Sequence, residues 1–378
     1  MFDIKKIHPG ITYLNHLPSA SNPDIISLAG ERTDLLPHKK LIKAAQNAIA
    51  HGHNQYENVN GYWPLREKIS KFIKEEYTYT YDPEEEVTIT AGSSQAITAA
   101  ISTFIREGDE VILFEPAFYS YDLIVMANGG RPVYVQMKQP DYHIEWEEVQ
   151  KRINARTKMI IINNPHYPTG SILSSADMEK LGRIVIGANI IVLSDESFNQ
   201  VVYEGYEHQS IARFPKLAEH SMIFSSFGKA LHIEGWKLGY CLAPDKLSSS
   251  FRKVHHLQTF SVNTPLQVAI SEIISNPEVY ADVIPIYQAK RDLLVNGLKR
   301  SKFKVTPSRG TYFQILNFSE ISDRKDTDFC NYLIESHKIE VMPLSYFYHD
   351  LIDQKCIRLC FAKKDETLNK AVDIFNRL

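Results

Sequence analysis

Cysteine is scarce in this chain, and charge of neither sign prevails. Four cysteines (Cys241, Cys330, Cys356 and Cys360) occur in 378 residues. That density excludes a disulfide-stapled secreted scaffold, and no pair has the spacing of metal ligands. Cys356 and Cys360 share a CxxxC spacing on an expected strand, which reads as core packing. The formal net charge of −3 gives no electrostatic reason for a nucleic-acid or anionic-membrane partner. The longest mainly apolar run, Ile184 to Leu193, is too short to cross a bilayer. The opening residues, MFDIKKIHPG, lack the apolar stretch of a signal peptide. Low-complexity segments and repeats are missing too. The paired histidines His51/His53 and His255/His256 lack the i, i+4 spacing of a metal site, so no metal is expected. What remains is a globular protein of a reducing cytoplasm. Its 44% hydrophobic and 23% charged residues suit that class. The length exceeds what one core usually supports, so two domains are expected.

Organisation comes from alternation. Apolar β-type runs at 86–90, 110–114, 132–136, 158–163, 189–194 and 221–225 alternate with helical stretches at 93–106, 117–128, 145–152 and 174–187. Two helices, 38–50 and 64–76, precede them. Strands without polar alternation, separated by helices, predict a mostly parallel sheet buried on both faces. A long helical region is expected over 264–300. The tail alternates strands (303–306, 311–316, 356–361) with helices (326–337, 365–377), as a smaller α/β unit would. The expected division is an N-terminal arm (1–37) joining the small domain, a large domain (38–280) and a small C-terminal domain (281–378).

One segment carries the chemistry. In SSFGKALHIEGWKLGYCLAP, residues 225–244, Lys229 stands in a small-residue loop, with Ser226 three residues before and Lys237 eight after. A lysine amine forms a Schiff base with an aldehyde, while a hydroxyl and a second cation hold a phosphate dianion. Pyridoxal 5′-phosphate (PLP) needs both. Thr90-Ala91-Gly92-Ser93-Ser94 leaves a strand and opens a helix, where amides and hydroxyls can cradle phosphate; a plain helix cap uses the same residues. Ser194-Asp195-Glu196 ends another strand. A buried carboxylate there needs a cation, and a protonated pyridine nitrogen is one. Arg358 stands inside an apolar strand, and its planar fork matches a carboxylate.

These motifs resemble the class I/II aminotransferases of fold type I, nearest to the methionine and kynurenine aminotransferase branch. The resemblance covers nearly the whole chain, including Phe260-Ser261-Val262-Asn263-Thr264-Pro265 and Gly310-Thr311-Tyr312-Phe313. It implies a seven-stranded, mostly parallel sheet between helices. It also implies that Lys229 is the PLP lysine and Asp195 the pyridinium partner. Gly92, Ser93, Ser94, Ser226 and Lys237 are then phosphate residues, Phe118 is the ring-stacking aromatic, and Arg358 is the anchor for the substrate carboxylate. Gly30 resembles the N-terminal glycine whose backbone borders the substrate. Tyr56 matches the tyrosine that reaches a neighbouring subunit's phosphate, which implies a homodimer with shared active sites.

Two positions depart from the pattern. Tyr167 stands where the family usually has an amide, and Phe198 where it usually has a phenol. Both missing groups normally bond the cofactor's ring oxygen. Either the Tyr167 hydroxyl takes over that oxygen, with Asn163 or Asn164 as substitutes, or Tyr167 only fills volume. Glu31 and Arg32 depart as well. Either they select a polar or charged substrate side chain at the mouth of the site, or they pair with each other on the surface. The expected activity is PLP-dependent transamination between an amino acid and a 2-oxo acid, with methionine-, aromatic- or glutamine-type donors. The alternatives are a PLP-dependent C–S β-lyase, or a PLP-binding module without turnover.

Overall fold

The computed structural model describes residues 8–20, 22–77 and 79–378. Most of the segment on which the signal-peptide reading rests lies outside them. The strands among the described residues are β1 (Ile26–Ser27), β2 (Val87–Thr90), β3 (Glu110–Glu115), β4 (Arg131–Gln136), β5 (Thr157–Asn163), β6 (Ile191–Asp195), β7 (Ser221–Ser226), β8 (Gly239–Leu242), β9 (Phe313–Asn317), β10 (Ile339–Glu340), β11 (Met342–Pro343) and β12 (Cys356–Cys360). Seven form one sheet in the order β2-β8-β7-β6-β5-β3-β4. Within it β8 runs antiparallel to both neighbours, and the pairs from β7 to β4 are parallel. The expected mostly parallel sheet is therefore present.

Alternate residues of its strands feed two separate cores. Ile112, Ile160, Ile162, Val192 and Ile223 point into one. Val111, Leu113, Met159, Ile161, Leu193 and Phe224 point into the other. Burial on both faces is why these strands read as unbroken apolar runs.

The antiparallel trio β11-β12-β9 forms a second sheet. Its middle strand carries Arg358, opposite Met342 on one side and Ile315 on the other. The N-terminal segment joins this end of the molecule: β1 pairs in parallel with β10. Two expectations need correction, and two elements were not expected. The long helix over 264–300 is three helices, Thr264–Ile273, Pro277–Tyr280 and Val283–Gly297, because Asn276-Pro277 caps a new start. Residues 303–306 form no strand; Lys304 makes one isolated bridge to Asn317. The strand β8 and the helix Asp245–Thr259 were not among the expected elements.

Two buried histidines make stability pH-dependent. Burial lowers the pKa of His166 to about 3 and that of His255 to about 4, from an ordinary 6.5. In the unfolded chain both take a proton near 6.5, so their contribution is complete above that pH. It is lost as pH falls from about 6.5 towards 4. Each unit of difference is worth about 1.4 kcal/mol, so the loss is on the order of a few kcal/mol. The urea midpoint is expected to drop between pH 7 and pH 4.5, and to drop less in His255→Leu. An equal drop in the variant would show that His255 carries none of it.

Candidate active site

Parallel strands place their carboxyl ends on one edge of a sheet, and the expected site residues collect there. Thr90 ends β2, Glu115 ends β3, Asn163 ends β5, Asp195 ends β6 and Ser226 ends β7. Since β8 is reversed, its start at Gly239 lies on the same edge, and Lys237 stands just before it.

The anion cradle is built by glycine. Gly92 caps the helix Ser93–Phe104 with φ of +81°, a conformation that side chains disfavour. A Cβ there would stand 3.5 Å from Lys237 Nζ. The lysine thus reaches the amides of the helix start, and no carboxylate pairs with it among the described residues. Gly239 closes the cradle from below: a Cβ on it would lie 2.4 Å from the Ser225 carbonyl oxygen and 3.2 Å from the Gly92 backbone. Ser226 caps the short helix Phe227–Leu231 by accepting from the Gly228 amide at 3.2 Å. That helix carries Lys229.

Lys229 Nζ lies 3.1 Å from the Tyr312 hydroxyl and 3.3 Å from Glu31 Oε2. The Tyr312 hydroxyl in turn donates to Glu234 Oε1 at 3.1 Å. The amine also faces the Phe198 ring, 5.3 Å from its centroid. Burial alone would raise the Glu31 carboxyl; the Lys229 and Arg358 charges outweigh it and hold the group below the ordinary carboxylate range. Glu31 therefore turns inward to the lysine, whereas Arg32 is exposed. The surface pairing of these two is not what the chain adopts.

Asp195 is buried. Its Oδ2 accepts from the Tyr121 hydroxyl at 2.6 Å, and its Oδ1 from the Ser197 amide at 3.0 Å and the Ser197 hydroxyl. Burial raises its pKa, against the pull of those donors and of Lys229. Phe118 packs edge-on to Tyr121 and to Tyr167, with centroids 5.5 and 5.6 Å apart. Tyr167 also meets Phe313 and Phe347. Its hydroxyl is buried and closes no hydrogen bond of normal geometry, although burial and then the Glu31 charge push its pKa up.

Arg358 is wholly buried, yet no carboxylate lies within ion-pair distance of it among the described residues. Its guanidinium donates to the carbonyls of Ala29 (2.7 Å) and Gly30 (3.4 Å), its Nε has no partner, and it lies 4.5 Å from the Phe313 ring centroid. Gly30 thus meets the arginine through its backbone. The four cysteines are free and buried, and no cluster of metal-ligating side chains occurs among the described residues.

Lys229 faces Phe198 and lends its charge to Asp195, Tyr167 meets Phe118 and Arg358, Gly30 meets Arg358, and Lys237 lies beside Gly92 at the start of the helix that opens with Ser93 and Ser94. Tyr56 does not join them; its side chain is 80% exposed and rests edge-on against Phe260. Sequence reasoning missed Tyr312, Tyr121 and Ser197 as site residues. Tyr312 sits inside a motif already singled out, but nothing in the sequence separated it or Tyr121 from core aromatics. A buried phenol with only a poorly aligned approach to Glu31, a buried guanidinium without an ion-pair partner and an unpaired lysine at a helix start are each costly alone. Together they fit a ligand carrying a phosphate, a ring and a carboxylate.

A reactive amine beside an anion cradle and a buried acid is the arrangement of enzymes that hold an aldehyde cofactor on lysine. Known proteins narrow this. The family described as aminotransferase class I and II matches residues 23–375. The chain is 38% identical over 331 residues to the methionine aminotransferase of Escherichia coli, covering 87% of this chain and 86% of the relative. It is 30% identical over 361 residues to the kynurenine–oxoglutarate transaminase of Dictyostelium discoideum, covering 85% and 83%. Among solved structures, an Escherichia coli protein with methionine aminotransferase function superposes with a TM-score of 0.94 at 36% identity, covering 97% of this chain and 96% of the other. The N-succinyldiaminopimelate aminotransferase of Mycobacterium tuberculosis does so with a TM-score of 0.91 at 29% identity, covering 97% and 96%. The chain belongs to the class I and II aminotransferases, the PLP-dependent enzymes of fold type I. Its reaction is transamination between an amino acid and a 2-oxo acid.

Proposed function

We propose that this enzyme transfers amino groups from methionine-, aromatic- or glutamine-type amino acids, with Lys229 as the reacting amine. The observation that carries the assignment is the position of Lys229 Nζ, 3.1 Å from Tyr312 and 3.3 Å from Glu31, on the helix that follows the Ser226 cap. The donor class is supported by the aromatic wall of Phe118, Tyr167, Phe313 and Phe347, and by identity to the methionine and kynurenine relatives.

The Gly92, Ser93 and Ser94 amides, the Ser226 hydroxyl and Lys237 would hold the phosphate. Asp195 would take the ring nitrogen, Phe118 one ring face, and Tyr167 and Phe198 the edge bearing the ring oxygen. Bound PLP supplies an aldehyde for the lysine and a ring that accepts the electron pair left by a departing α-proton. Arg358 docks the substrate carboxylate with its fork, which fixes the Cα–H against Lys229. The free amine of Lys229 then removes that proton and later returns it. A neutral amine is required for this. Tyr121 and Ser197 orient Asp195.

A half-reaction tests the assignment. With amino acid and no acceptor, one equivalent of pyridoxamine phosphate and of 2-oxo acid is expected per site. Pyruvate and ammonia without the pyridoxamine form would instead identify a C–S β-lyase.

The proposed division is an arm at 1–37, a large domain at 38–280 and a small domain at 281–378. The β1–β10 pairing supports the arm's attachment to the small domain. The proposed assembly is a homodimer, and exposed apolar groups support it: Tyr56 at 80%, Leu257 at 83% and Phe260 at 52%. Free, buried cysteines suit a cytoplasmic location. No helix among the described residues is long and apolar enough to cross a membrane. If Tyr56 completes the partner's phosphate site, Tyr56→Ala and Lys229→Ala are each inactive alone. Unfolded together and refolded as a mixture, they are expected to recover about one quarter of parental activity, because each hybrid dimer has one intact site. No recovery would place Tyr56 in its own subunit's site, and an active Tyr56→Ala would place it outside any site.

A further inference from the structure

We infer that Glu31 is a specificity-determining residue that rejects amino and 2-oxo acids with a side-chain carboxylate and admits those with a neutral or cationic side chain. The inference rests on the functional reading above and adds the substrate's charge class to it.

Three observations carry it. First, Glu31 Oε2 lies 3.3 Å from Lys229 Nζ. Any substrate whose Cα comes within reach of that nitrogen brings its side chain close to the same carboxylate. Second, Glu31 is anchored next to the substrate anchor. Arg358 donates to the carbonyls of Ala29 and Gly30, the two residues just before it. Lys363 donates to the Arg32 carbonyl just after it, at 2.8 Å. The strap is thus pinned on both sides of Glu31, and the carboxylate cannot be carried far away. Third, among the described residues the cation next to Glu31 in sequence, Arg32, is exposed rather than turned into the site. The rest of the wall is aromatic, with Phe118, Phe313 and Phe347 each packed edge-on to Tyr167. Lys363 is already paired with Asp34 at 3.6 Å. Arg358 has room for one carboxylate, which every substrate supplies from its α-carbon.

A second substrate carboxylate would therefore meet a fixed like charge and no partner. Glu31 stays ionised near neutral pH, because the Lys229 and Arg358 charges outweigh its burial. Like charges about 5 Å apart in a partly buried site oppose binding by roughly two powers of ten at an effective dielectric near 20. A side chain bearing N–H donors, or a thioether or ring resting on the aromatic wall, escapes that repulsion.

The test uses unreactive ligands as well as turnover. Dissociation constants of glutarate and of 3-phenylpropionate are measured by calorimetry on the PLP-loaded parent and on Glu31→Gln. Each protein is first checked for a borohydride-fixed cofactor on Lys229, so that failure of the functional reading shows separately. Glu31→Gln is expected to tighten glutarate at least tenfold and to change 3-phenylpropionate less than threefold. In parallel, kcat/KM for glutamate should rise relative to that for methionine. Equal tightening of both ligands would overturn the inference, since it would make Glu31 a plug over Arg358 that ignores side-chain charge. No change in either would overturn it as well. Glu31→Asp, which keeps the charge, is expected to retain the parental preference; a switch in that variant would make the effect one of shape.

Discussion

Lys229→Ala is expected to lower turnover by about 10⁴-fold or more, since it removes both the nucleophile and the proton carrier at once. The same variant should take up PLP without fixing it. After borohydride reduction the parent carries the cofactor mass on the peptide containing Lys229, and the variant carries none. Folding is not the cause of the loss. Lys229 is one of five residues in a short helix whose cap, Ser226, is untouched, and its stem leaves space beside Phe198 and Tyr312. A stability change within about 2 kcal/mol is expected, visible as a small shift in Tm. Lys229→Arg separates charge from chemistry. It keeps a cation for Glu31 yet cannot form the imine, so it should be as inactive as the alanine variant. A reducible adduct in Lys229→Ala, or none in the parent, would remove the assignment.

How much of this site was legible beforehand depended on whether a residue acts through its sequence neighbours or across the fold. Lys229, Ser226 and Lys237 stand within twelve residues, so an amine, a hydroxyl and a second cation could be read together, and the resemblance implied their roles. Gly92 was legible because a strand end followed by a helix start is a local pattern. Asp195 was legible because an acid closing an apolar run needs an explanation. Glu31 was not. Its sequence neighbour Arg32 offered a local partner, and only the β1–β10 pairing brings the arm over the lysine. A surface ion pair is worth little, whereas the carboxylate gains two cations by turning inward. Tyr312 and Tyr121 were invisible for a related reason. A phenol that bonds Lys229 or Asp195 looks like any core aromatic until the sheet edge is assembled. The fold failed to be legible at β8 for want of pattern: four buried residues, Gly239–Leu242, are too short for alternation to register. The long helix expected over 264–300 breaks where Asn276 caps a new helix and Pro277 opens it, a local signal in the sequence itself.

Arg358 sets up the second large effect, because function and stability should respond to its loss in opposite senses. Its guanidinium is fully buried, with no carboxylate within ion-pair distance among the described residues and with Nε unpartnered. What offsets its desolvation is limited: carbonyls of Ala29 and Gly30, the faces of Phe313, Phe347 and Tyr167, and the charge of Glu31 beyond ion-pair distance. A charge kept in that state is a cost to the folded chain that a substrate carboxylate relieves. Arg358→Leu removes the cost together with the anchor. Two charge-assisted hydrogen bonds at about 1.5–3 kcal/mol each correspond to a loss in kcat/KM of roughly 10²- to 10⁴-fold. The Tm of the variant is expected to hold or to rise, since an apolar side chain of comparable reach replaces an unpaired ion among aromatic rings. Arg358→Lys keeps the charge without the fork and should fall between the two in kcat/KM, with no gain in Tm. If the leucine variant instead melted well below the parent while kcat/KM for a neutral amino acid stayed within tenfold, Arg358 would be a strut for the Ala29–Gly30 strap rather than the residue that receives the substrate.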